Sequence, residues 1–181
     1  MKRFRPVLAV LALIAVGTVL HAQPSQVVLR NAHLERVIVA EPYLRTASIV
    51  NKLSRETLAL TSEEFRLDLD GGNLRLTARD FKAGPPKTET LADGAQRVTF
   101  QLRHEASGIA VQLCYELKAQ DFYTRKWLVV DAPKNRLDSV DVEAFQTDRP
   151  LATAGTERGQ PVLIGNQVFG GLEYPVGENV V

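Results

Sequence analysis

Apolar and polar residues alternate along much of this chain, and the alternation predicts strands. From Glu64 to Asp70, Phe65, Leu67 and Leu69 hold one parity, while Glu64, Arg66, Asp68 and Asp70 hold the other. A period of two gathers the apolar side chains on one face of a strand. Asp70-Gly71-Gly72-Asn73 follows, a stretch that tolerates the positive φ of a tight turn, and Leu74, Leu76 and Ala78 then resume the pattern against Arg75, Thr77 and Arg79. The two runs predict a β-hairpin.

The same grammar recurs downstream. Val98, Phe100 and Leu102 alternate with Arg97, Thr99, Gln101 and Arg103. After a turn over His104 to Gly108 come Ile109, Val111, Leu113, Tyr115 and Leu117. Thr124 to Asp131 contains Trp127, Leu128, Val129 and Val130, a nearly continuous apolar run that predicts burial on both faces, with Trp127 as a core anchor. Val140, Val142 and Ala144 oppose Asp141 and Glu143. Upstream, Leu34 to Ala40 and Tyr43 to Val50 read as strands around Glu41-Pro42. Val162 to Ile164 and Gln167 to Phe169 read as short strands around Gly165-Asn166. The best helical window is the short Ser54 to Leu60, and Ala83 to Lys87 and Ala152 to Gly159 read as loops. Strands about ten residues apart with Gly, Pro and Asn between them predict an all-β, antiparallel β-sandwich.

The first residues follow a different rule. Lys2, Arg3 and Arg5 precede an apolar run from Val7 to Leu20, and His21-Ala22-Gln23-Pro24 follows. This is the layout of a secretory signal peptide over residues 1–22, cleaved after Ala22, and the run is short of the ~20 apolar residues that span a bilayer. The expected destination is the periplasm or the exterior, with a β-sandwich domain over residues 23–181. Leader removal leaves 19 Lys+Arg against 21 Asp+Glu. Without a basic stripe, the counterion release that drives nucleic-acid binding has no source, and neither nucleic acid nor membrane is an expected partner of the mature domain.

Candidate chemistry is sparse. The mature chain has two histidines, His33 and His104, and one cysteine, Cys114. That cysteine lies beside Gln112 and Glu116 on the parity opposite Leu113 and Tyr115, with no cation next to it in sequence to depress its pKa. No Cys/His cluster supports zinc, and Asp68-x-Asp70-x-Gly72-Asn73 lacks the later Glu of a calcium loop. The glycine pairs Gly71-Gly72 and Gly170-Gly171 lack the spacing and following helix of a phosphate loop. No cofactor is implied. Asp68/Asp70 and Asp141/Glu143 fall on solvent-facing parity. Glu173 and Glu178 differ, because they lie in Phe169-Gly170-Gly171-Leu172-Glu173-Tyr174-Pro175-Val176-Gly177-Glu178-Asn179. Aromatic faces that stack on sugar rings, beside carboxylates that bind hydroxyls, make Phe169, Glu173 and Tyr174 the candidate carbohydrate-binding residues.

Ser48-Ile49-Val50-Asn51-Lys52, then Asp121-Phe122-Tyr123-Thr124-Arg125-Lys126-Trp127-Leu128, then Gly159-Gln160-Pro161 and Phe169 to Pro175 together resemble the N-terminal β-sandwich of exported glycoside hydrolases of the α-galactosidase-like type. The resemblance spans roughly residues 26–181. It implies a galactose-mutarotase-like supersandwich preceding a catalytic barrel. The family's acid and nucleophile belong to that barrel, so no catalytic residue is carried over, and the barrel, as a C-terminal domain, becomes an implied partner. The sequence is short for a complete supersandwich, which implies a truncated chain. The resulting expectation is a noncatalytic module supporting carbohydrate binding, with Tyr174→Ala expected to weaken glycan binding without unfolding. A standalone periplasmic or surface interaction module is the alternative, and a small mutarotase-like enzyme is disfavoured by the thin supply of histidine.

Overall fold

The computed structural model describes residues 26–155, 157, 159–166, 168–173 and 179. The proposed leader and Tyr174 lie outside the described residues. The described residues are all-β, with fifteen strands in four antiparallel sheets and one 3-10 turn at Ala78–Asp80. No described helix is long and apolar enough to cross a membrane.

The first sheet is a meander of β1 (Gln26–Arg30), β2 (Leu34–Val39), β3 (Arg45–Asn51) and β4 (Glu56–Ala59). The second pairs β5 (Thr61–Leu69) with β6 (Leu74–Thr77) on one side and with β12 (Leu137–Gln146) on the other. In the third, β11 (Arg125–Asp131), β10 (Ala110–Leu117) and β9 (Gln96–Arg103) lie side by side, and β7 (Lys82–Ala83) and β8 (Lys87–Thr90) share the far edge of β9. A small fourth sheet holds β13 (Leu151–Thr153), β14 (Val162–Ile164) and β15 (Val168–Gly170).

The predicted hairpin forms as β5 and β6, with Leu69 opposite Leu74 and Leu67 opposite Leu76. Asp70, Gly71 and Gly72 all take positive φ in the turn, which is why two glycines stand there. The β9–β10 hairpin also matches its pattern. Inward residues Val98, Phe100 and Leu102 meet Val111, Leu113, Tyr115 and Leu117, and these join Leu29, Ile38, Leu44, Phe65, Leu67, Leu69 and Leu76 in one contiguous core. The apolar faces of the three larger sheets therefore share a single interior.

Three expectations are corrected. Ser54 to Leu60 is not helical: after a turn, Glu56–Ala59 is an edge strand on β3, because Leu58 gains burial there that a single helical turn could not provide. The apolar run in β11 is not covered on both faces. β11 ends its sheet, Val129 is exposed, and Trp127 stands on the outer face rather than in the core. Parts of both predicted loops form strands, β7 and β8 bordering the Pro85-Pro86 break and β13 at Leu151–Thr153.

Candidate functional site

Two concentrations of polar side chains lie on opposite sides of β11. The first is interior. Arg36 shares the parity of Leu34 and Ile38 on β2, so it points inward and is buried. Beside it are Thr46 from β3, Ser62 and Glu64 from β5, Tyr115 from β10 and Lys126 from β11, with Glu143 from β12 at the margin.

Glu64 is the hub. Its carboxylate accepts hydrogen bonds from the Thr46 backbone N–H, the Thr46 and Ser62 hydroxyls and the Tyr115 hydroxyl. Arg36 Nη2 lies 3.3 Å from Oε1, and Lys126 Nζ lies 2.9 Å from the same atom. Arg36 also reaches Glu143 at 2.9 Å and donates to Thr46 Oγ1 at 2.7 and 2.9 Å, while Lys126 meets Glu143 at 3.1 Å. The Arg36 guanidinium lies 4.8 Å from the Tyr115 ring centroid. Two cations and two carboxylates balance.

Burial alone would raise the Glu64 pKa, but Lys126, Arg36 and the Tyr115 hydroxyl outweigh it and lower the value to about 2. Desolvation works against the charged Arg36 too, and Glu143, Tyr115 and Glu64 overcome it. Burial and the adjacent Glu64 push Tyr115 well above its ordinary value, so it stays protonated as a donor. Glu64, Arg36 and Lys126 are removed from water and paired with one another or with Glu143.

The backbone explains how two glutamates come to converge. Between Asp141 and Ala144, β12 carries one more residue than β5. Between Glu64 and Ser62 the extra residue is on β5. These back-to-back bulges break strict alternation, and Glu64 adopts φ of 68°. Glu64 and Phe65 are consequently both buried although adjacent. Parity had put Glu143 in solvent; its side chain is 32% exposed and turned toward Arg36 and Lys126.

The second concentration covers the outer face of the third sheet. Strand register sets its side chains in rows. Arg125, Glu116, Arg97 and Glu89 form one row across β11, β10, β9 and β8. Trp127, Cys114, Thr99 and Lys87 form the next, and Val129, Gln112 and Gln101 the one after. Small side chains, Cys114 and Thr99, lie between the bulkier Trp127 and Lys87, so the middle row sinks. The result is a depression of about 440 Å³, bounded by Trp127, Lys87, Glu89, Arg97, Gln101 and Gln112. Arg97 donates to Glu116 at 2.6 and 3.1 Å and lies 5.4 Å from the Trp127 centroid. Lys87 meets Glu89 at 3.0 Å. Cys114 is buried in the floor, its sulfur 3.7 Å from Thr99 Oγ1.

The predicted sugar residues are not assembled into one pocket among the described residues. Phe169 projects from β15 at 64% exposure, and Glu173 lies 3.7 Å from Arg125 Nε, the end member of the charged row. His33 stacks on Phe122 at 4.2 Å, and His104 bonds Ser107 at 2.7 Å. No group of three His, Cys, Asp or Glu among the described residues is arranged to hold a metal ion. Reasoning from sequence missed both concentrations. Arg36 was detectable from its parity with Leu34 and Ile38, and the outer rows only once strands were paired. Compared with known protein families, curated proteins and solved structures, the chain matches none.

Proposed function

We propose that this chain is an exported, noncatalytic β-sandwich module that supports carbohydrate binding, belonging to or derived from the N-terminal part of a secreted α-galactosidase-like glycoside hydrolase. The sandwich reading rests on the three larger sheets turning their apolar faces toward one interior. The observation that carries the binding role is the outer depression, where an indole, two side-chain amides, Arg97 and Glu89 surround a floor of small residues. Such a mixture suits a hydroxyl-rich ligand with an apolar ring face. The noncatalytic role draws on the interior cluster, whose acid and bases are spent on one another.

The test is a thermal-shift screen of the full chain against oligosaccharides, run beside a hydrolysis assay. The expected result is a rise in Tm with saccharide and no release of product, since a ligand at 100 times its Kd stabilises by about 2.7 kcal/mol. Turnover of a glycoside by this chain alone overturns the noncatalytic role. A folded chain that responds to no saccharide overturns the carbohydrate role and favours the interaction-module alternative.

A further inference from the structure

We propose that the outer depression over Cys114 and Thr99 is a subsite for an uncharged pyranose, seated against Trp127 and hydrogen-bonded through Gln101, Gln112, Arg97 and Glu89. This rests on the carbohydrate reading above and adds the location and the ligand class. Three features converge. The floor runs between Trp127 on β11 and Lys87 on β8, three strand spacings or about 14 Å. Its volume, about 440 Å³, is within the usual range for small ligands.

The rim is matched to hydroxyls. Each sugar hydroxyl both donates and accepts, and a guanidinium beside a carboxylate offers the complementary pair to two adjacent hydroxyls. Arg97 is already held by Glu116 at 2.6 Å and so needs little reordering. Gln101 and Gln112, opposite one another on β9 and β10, add a donor and an acceptor each.

Charge selects against acidic sugars. The depression's cations, Lys87 and Arg97, are each committed to a carboxylate, Glu89 and Glu116 respectively, and Arg97 Nη1 also lies 3.9 Å from Glu89. A uronate or sulfate would find no unpaired cation and would approach the Glu89 carboxylate. A neutral sugar disturbs neither pair.

Trp127 is the one tryptophan in the sequence, so all tryptophan emission arises at this site. The full chain is titrated with neutral gluco-, galacto- and manno-configured oligosaccharides and with uronate and sulfated counterparts, following Trp127 fluorescence and calorimetric heat. Neutral sugars are expected to shift the emission. Trp127→Ala and Gln112→Ala, both checked for native circular dichroism, are expected to weaken calorimetric binding about tenfold or more, as loss of roughly 1.4 kcal/mol implies. Glu89→Gln is expected to bring acidic sugars up toward the affinity of neutral ones. Preference of the native chain for uronates or sulfates overturns the ligand class while leaving the carbohydrate role standing. Neutral sugars that bind without altering Trp127 emission, with Gln112→Ala unimpaired, overturn the location. Binding of no saccharide overturns the underlying reading along with this one.

Discussion

At Glu64 a fully buried carboxylate is surrounded by Arg36, Lys126, Tyr115, Thr46 and Ser62. Removing one partner of such a cluster leaves the remaining charges uncompensated in a medium that solvates them poorly, which costs about 3–5 kcal/mol. Glu64→Gln is therefore expected to lower stability by that amount in urea unfolding at pH 7. The pH dependence has a definite sign. Because the folded state lowers the Glu64 pKa to about 2, its contribution is complete above the ordinary carboxylate range near 4.5 and is lost as pH falls toward 2. Unfolding free energy of the native chain should thus decline between about pH 4.5 and 2, and the decline should be shallower in Glu64→Gln. Tyr115→Phe leaves Glu64 short of one donor and is expected to cost about 1–3 kcal/mol, measured by the same unfolding. Arg36 was legible at this scale, since its parity matches Leu34 and Ile38. Glu64 was not, because parity assumes an unbroken strand.

Elements that depend on local chemistry were the most legible. The β5–β6 turn needs positive φ at three successive residues, and Asp-Gly-Gly supplies it. A Cβ at Gly72 would meet nothing within 4 Å, so Gly72→Ala is expected to cost about 1–2 kcal/mol from backbone strain alone, read as a lower urea midpoint with an unchanged slope. The bulges in β5 and β12 left no such mark. They arise where two paired strands accommodate unequal numbers of residues, and neither strand alone states the mismatch. Face exposure was equally hidden: β11 has the composition of a strand covered on both faces, yet the outer face of its sheet is uncovered and leaves Val129 in solvent. β4 shows the converse, a weak helical window drawn into a sheet by the neighbouring β3.

For the molecule as a whole, stability depends on one interior shared by three sheets. Leu113 lies in it with no exposed surface, and Leu113→Ala is expected to cost about 2–5 kcal/mol, more than any substitution on the outer rows. Far-UV circular dichroism should show a β-dominated spectrum with little helical signal. The two polar concentrations are also related at this scale, because successive residues of β11 serve both: Lys126 turns inward to Glu64 and Glu143, and Trp127 turns outward to the depression. Loss of the inner cluster should therefore disturb Trp127 emission as well as stability.

Alternation and turn chemistry are written in neighbouring residues, so the amino-acid order alone was enough for the all-β class, the antiparallel hairpins and most of the core. Strand partners, bulges and sheet edges depend on residues far apart in the chain. Only their meeting in space turned Glu64 and Glu143 toward one cluster, and set Trp127, Cys114, Thr99 and Lys87 in a row with a hollow at its centre.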